Sequence, residues 1–145
     1  MFKHILIPYD GSELSMRAAR TGIELAKMSQ GRVSILHVIS PFKTIAYMGA
    51  ILAATEIAYD QEARNNAERY LADVQAVADA AGVPCQGEAI FGDQPFEIIV
   101  QAVTDKQCDL VVMGSHGWRG MTRLLLGSET QKVLLRCDVP VLVCH

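Results

Sequence analysis

The chain has 145 residues, a length that fits one ordinary domain. Half are hydrophobic, a fifth are charged and only 6% are aromatic, which requires a packed core rich in Ala, Val, Ile and Leu and excludes disordered and collagen-like sequence. Thirteen Lys and Arg against sixteen Asp and Glu leave a net charge of -3, too near balance for the cationic footprint of a nucleic-acid or membrane-surface partner.

Cys85, Cys108, Cys137 and Cys144 have no CxxC spacing and no paired histidines, so each reads as a small buried hydrophobe rather than a zinc ligand. Met1 leads straight into Ile5, Leu6 and Ile7 without the basic region and apolar stretch of a signal peptide, and the reduced cytoplasm is the expected compartment. The longest uncharged apolar stretch, Thr44 to Thr55, is interrupted by Glu56 and Asp60 before it reaches membrane-spanning length.

Residues 3–8 (KHILIP) form a short apolar run closed by Asp10, Gly11 and Ser12, which predicts a strand followed by a helix with Ser12 as its N-cap. That helix places Leu14, Ala18, Ala19, Gly22, Leu25 and Ala26 at helical spacing, and Gly31 stops it. Residues 33–39 (VSILHVI) make a second strand. After an irregular stretch from Pro41 to Gly49, residues 50–81 predict a long Ala-rich helix ending at Gly82, with Ile57, Ala67, Leu71, Val74 and Val77 facing inward.

Residues 84–91 (PCQGEAIF) read as a third strand, and Gly92, Asp93 and Pro95 as the turn into a helix over 96–106. Asp109 leads into Leu110, Val111, Val112 and Met113, a continuous apolar strand suited to burial on both faces of a parallel sheet. A glycine-rich loop follows. Ser128 to Arg136 is the last helix, with Ser128 and Gln131 at capping-box spacing, and residues 139–144 (VPVLVC) are the last strand. Strict alternation of strands and helices predicts an α/β domain with one doubly wound parallel sheet covered on both faces, whose ligands bind beyond the C-terminal strand ends.

The loop GSHGWRGMTRLLLGS carries the chemistry. Two residues separate Gly114 from Gly117, and nine more precede Gly127 and Ser128. Glycines let backbone amides approach an anion closely, and Gly127 and Ser128 lie at a helix start whose unsatisfied N–H groups favour phosphate. Neither a Walker A loop nor the dinucleotide GxGxxG is present.

With this G-x2-G-x9-G-[ST] pattern, the opening ILIPYDGS, the closing VPVLVCH and the order of elements, the chain resembles the universal stress protein family along essentially its whole length, specifically its nucleotide-binding members. The resemblance implies a Rossmann-like five-stranded sheet of order 3-2-1-4-5, with the Asp10 loop and the Gly114 loop facing one crevice. It also implies ATP as ligand. Asp10 then takes the ribose-binding place, although an Asp in a D-G-S turn is also locally favoured. Pro8, Tyr9 and Val38 match positions lining the adenine pocket; by residue type alone Val38 is simply core.

Gly114, Gly117, Gly127 and Ser128 match the phosphate-binding positions, and Ser128 can serve as N-cap at the same time. Thr130 offers a further hydroxyl. Met113 and Gly120 complete the candidate set with His116 and Arg119. Arg119 reads equally as a phosphate-binding fork and as a solvent-facing side chain, and His116 reads as a solvated loop residue with no catalytic part. Two positions depart from the family pattern. Glu129 brings a carboxylate beside the phosphate cradle, where it either repels phosphate or helps hold a cation, and Tyr9 either narrows the adenine pocket or stacks on its contents.

The last strand offers an apolar edge at Val139, Val141, Leu142 and Val143 without a charged residue, and the family's antiparallel pairing of last strands implies a homodimer there. Three functions follow. The first is a cytoplasmic ATP-binding regulatory module of the stress-response type, whose nucleotide state biases its dimer surface or a protein partner. The second is a slow ATP hydrolase or phosphotransferase using Mg2+ or Mn2+, for which the sequence supplies no nucleophile with a positioned base. The third is an interaction protein that binds no nucleotide and uses the segment from Pro41 to Tyr59. The intact glycine pattern argues against it.

Overall fold

A computed structural model of the chain describes residues 1–42, 49–117 and 125–145, with side chains in the second helix from residue 54 onward. The elements run β1 (His4–Pro8), α1 (Glu13–Ser29), β2 (Arg32–Ile39), α2 (Gly49–Ala81), β3 (Cys85–Phe91), α3 (Pro95–Asp105), β4 (Leu110–Gly114), α4 (Ser128–Arg136) and β5 (Val141–Cys144). The strands form one sheet of order β3-β2-β1-β4-β5, and every neighbouring pair is parallel. Both the α/β class and the expected strand order hold.

Alternation along the central strands divides the core in two. Ile5, Ile7, Val33, Ile35 and Val112 pack with Ala18, Ile23, Val74 and Ala78 from α1 and α2. Leu6, Leu36 and Val111 pack with Ile99 and Val103 of α3 and Val133 of α4. β1 is buried on both faces because it lies in the middle of the sheet, which explains its unbroken apolar run. At its start, Asp109 ties it to β4: the carboxylate accepts from the backbone amides of Lys3 and His4 at 2.8 and 3.0 Å.

Several local expectations need correction. α1 is capped at its start by Ser12, whose Oγ accepts from Ser15 N at 3.2 Å, but at its end Gln30 rather than Gly31 takes the left-handed conformation, with φ 53°. Gly31 follows it, donating its N–H to Ala26 O at 2.8 Å, and a Cβ there would lie 2.7 Å from Lys3 O. Ile57 is 72% exposed, not inward-facing. Ten residues before Ala67, it falls about a quarter turn off the stripe that Ala67, Val74 and Ala78 bury. Of the cysteines only Cys108 is buried; the other three are half-buried.

The capping box at Ser128 and Gln131 does not form. Gly127 is the N-cap of α4, so Ser128 is already helical, and the Gln131 amide instead donates to Leu126 O at 2.8 Å. No described helix is long and apolar enough to cross a membrane. β5 closes one side of the sheet with four residues, and its outer edge bears the exposed Leu142.

Candidate functional site

Both β1 and β4 end at the point where the winding direction reverses, and the loops leaving them open a cleft of about 790 Å3. The floor at β1 is set by Tyr9, whose amide donates to Leu36 O at 2.9 Å on the neighbouring strand. Asp10 follows. Its Oδ1 accepts from the Ser12 amide at 2.9 Å and from the Ser12 hydroxyl, the side-chain turn that an Asp two residues before a helix cap forms by local geometry. The same contacts fix the carboxylate at the mouth of the cleft.

On the opposite side, three hydrogen bonds shape the start of the glycine loop. Ser115 N donates to Cys144 O at 2.7 Å, Gly127 N donates to Ser115 O at 2.7 Å, and the Thr130 hydroxyl donates to Gly114 O at 3.0 Å. They bring α4 back against the end of β4. Space is scarce there: a Cβ on Gly127 would lie 3.1 Å from His116 Cα, and one on Gly117 would lie 2.6 Å from Asp10 Oδ2.

The N-terminus of α4 therefore faces the cleft with a glycine at its cap and no side-chain cap bond. The first amides of any helix lack intrahelical acceptors, and here the residues that carry them, Ser128 to Thr130, line the same cleft as Gly114, Gly117 and Asp10. Such an end binds anions. The buried Thr130 hydroxyl is already engaged with Gly114 O.

Glu129 lines the cleft and is also engaged within the fold. Its Oε2 accepts from Phe96 N at 2.9 Å, capping α3, whose own N-cap Gln94 makes no side-chain bond. Lys132 Nζ stands 3.3 Å from Glu129 Oε1 and covers the Phe96 ring at 5.2 Å. The carboxylate is thus turned to the next helix and partly neutralised. The Tyr9 ring is buried in the α1/α2 core, edge-on to Tyr70 at 6.2 Å. Burial first, then the charges of Asp73 and Asp10, push its phenol pKa up.

Of the residues singled out by sequence, Pro8, Tyr9, Asp10, Val38, Met113, Gly114, His116, Gly117, Gly127, Ser128, Glu129 and Thr130 all line this cleft. Arg119 and Gly120 lie outside the described residues. His116 Nδ1 is 3.1 Å from Ser115 Oγ. Sequence reasoning missed the wall supplied by α2, where Tyr59, Ala63, Asn66 and Tyr70 recur at helical spacing and face the cleft, and it missed His37 on β2. Among the described residues no group of three or more His, Cys, Asp or Glu gathers as a metal site.

A doubly wound α/β domain with an acidic loop, a glycine loop and a helix N-terminus meeting in its switch-point cleft belongs to the Rossmann-like class of folds. The chain is a member of the universal stress protein family, whose model matches residues 1–145. It is 33% identical to universal stress protein MJ0531 of Methanocaldococcus jannaschii over 99% of this chain and 82% of that protein. Among solved structures, it superposes on protein MJ0577 of the same organism with a TM-score of 0.83 at 27% identity, covering 99% of this chain and 96% of that one. A universal stress protein solved in complex with cAMP superposes with a TM-score of 0.73 at 25% identity, covering 99% and 97% of the two chains.

Proposed function

We propose that this chain is an ATP-binding regulatory module of the stress response, in which nucleotide occupancy biases a dimer or partner surface. One observation carries the reading: Asp10, the Gly114–Gly117 segment and the uncapped start of α4 line a single cleft. A carboxylate accepts from ribose hydroxyls, and a helix N-terminus beside close-packed glycines favours a phosphate chain. Pro8 and Val38 stand at the base end. The relative in complex with cAMP supports an adenine nucleotide as the ligand class, and the complete G-x2-G-x9-G-[ST] pattern supports ATP within it.

Mg2+ or Mn2+ fits as a companion of the phosphates rather than as a cation held by the protein, since Glu129 is engaged with Phe96 N and no acidic cluster accompanies it among the described residues. The same engagement weakens the hydrolase alternative. A homodimer through the β5 edge and a cytoplasmic location belong to the same proposal. Part of the segment that the interaction-protein alternative depends on, residues 43–48, lies outside the described residues.

The test is titration of nucleotide-stripped protein with ATP, ADP, AMP and cAMP, each with and without Mg2+. Saturable ATP binding weakened by Asp10→Ala supports the reading. Absence of binding to all four sinks it.

A further inference from the structure

The residues on either side of Asp10 are held from α2, by a contact that the nucleotide reading does not use. Gly11 has φ +84°, and a Cβ there would lie 2.4 Å from Tyr70 Cε1 and 2.5 Å from Tyr70 Cζ, so the Tyr70 ring fills the space over this glycine. The same ring meets Tyr9 edge-on at 6.2 Å and 79° and His37 edge-on at 5.2 Å and 77°. His37 in turn places Nδ1 2.8 Å from Tyr9 O. A carbonyl only accepts, so Nδ1 carries the proton and the ring holds the Tyr9–Asp10 peptide from below.

Tyr70 thus covers Gly11, abuts Tyr9 and backs the histidine that fixes the Tyr9 carbonyl. The Asp10 carboxylate is bonded within its own turn, to Ser12, but the turn as a whole is positioned against α2 through this ring. Edge-to-face aromatic contacts and a side chain filling a glycine's open face are geometric constraints of the kind that hold a binding loop in place.

We propose that Tyr70 is a positioning residue for Asp10: the juxtaposition of its ring with Gly11, Tyr9 and His37 sets the ribose end of the cleft and makes sugar recognition depend on α2. The inference rests on the nucleotide reading above. It goes further in assigning ribose discrimination to a helix that carries none of the family's glycine pattern.

The experiment has two arms on Tyr70→Phe, which keeps the ring, and Tyr70→Leu, which removes it. In ligand-free protein, amide hydrogen exchange is followed over residues 9–15 against the amides at the far end of α1. Tyr70→Leu is expected to speed exchange over 9–15 selectively, and Tyr70→Phe to leave it unchanged. In the second arm, Kd is measured for ATP and 2′,3′-dideoxy-ATP, with Asp10→Ala as reference. Wild type and Tyr70→Phe are expected to favour ATP by about tenfold, the scale of hydrogen bonds to a carboxylate. Tyr70→Leu should lose most of that preference, its ratio of the two Kd values approaching that of Asp10→Ala.

An unchanged preference in Tyr70→Leu, or an equal loss for both nucleotides, overturns the proposal, because a merely structural role does not single out the sugar. If wild type binds no adenine nucleotide, the functional reading has failed. The exchange arm then decides alone, and unchanged exchange over 9–15 overturns the positioning role itself.

Discussion

Asp10 and Gly117 stand so close across the cleft that a Cβ on Gly117 would lie 2.6 Å from Asp10 Oδ2. The loops after β1 and β4 therefore meet at a carboxylate on one side and a bare backbone on the other. In the nucleotide reading, this is where ribose recognition passes into phosphate recognition. Gly117 is exposed and does not have the positive φ of Gly11.

Gly117→Val should accordingly displace the Asp10 side chain without disturbing the core. The expected outcome is a loss of ATP affinity of about tenfold or more, with a melting temperature close to wild type. Calorimetric titration together with thermal unfolding checks both halves. A large fall in stability would show that the glycine serves the fold instead.

Glu129 sits in the first turn of α4 but satisfies an amide of α3, at 2.9 Å from Phe96 N. Pro95 at the first position of α3 has no N–H, and Gln94 supplies no cap, so this carboxylate is the side-chain cap of that helix. Glu129→Ala should cost about 1 kcal/mol, the usual size of a lost N-cap, read as a lower urea midpoint at unchanged m-value. Nucleotide affinity should not fall with it.

His4 is buried between strands with Nε2 2.8 Å from Ser34 Oγ. Burial first and the nearby Arg32 charge second lower its pKa below 6.5. A group with a lowered folded pKa binds its proton more readily when unfolded. Its contribution to stability is therefore complete above about pH 6.5 and declines as pH falls through that value toward the folded pKa, with a limiting slope of about 1.4 kcal/mol per pH unit. Urea unfolding between pH 7.5 and 5 should show this decline in wild type and a shallower one in His4→Leu.

The free edge of β5 bears Leu142, 39% exposed, and the adjacent helix α4 exposes Leu135 at 81%. An unpaired apolar edge with no charged residue invites a second strand. Sedimentation at micromolar concentration should give a dimer for wild type and a monomer for Val141→Lys, while a wild-type monomer would remove the dimer from the account.

Much of this arrangement was legible in the chain because it is local. The D-G-S turn and the Ser12 cap follow from neighbouring residues, and the unbroken apolar runs of β1 and β4 follow from burial on two faces. Alternation alone did not order the strands; that order rested on the family resemblance and is what the sheet shows. Features set by distant partners were not legible. Ser128 and Gln131 have the spacing of a capping box, yet the bond from Gly127 N to Ser115 O places the cap one residue earlier. The bond from Phe96 N to Glu129 was not legible because the two residues are neighbours only in the fold. The cleft wall of Tyr59, Asn66 and Tyr70 was hidden for the same reason: its spacing marks a helix face but does not say what that face covers.

The central claim is that the cleft binds ATP. Native mass spectrometry of freshly purified protein, with the small molecules identified after denaturation and ATP then added back to stripped protein, tests it most directly. The account predicts a mass increment of one ATP per chain that returns on rebinding and is weakened in Gly117→Val. Stripped protein that takes up no ATP at any concentration, with or without Mg2+, would contradict it.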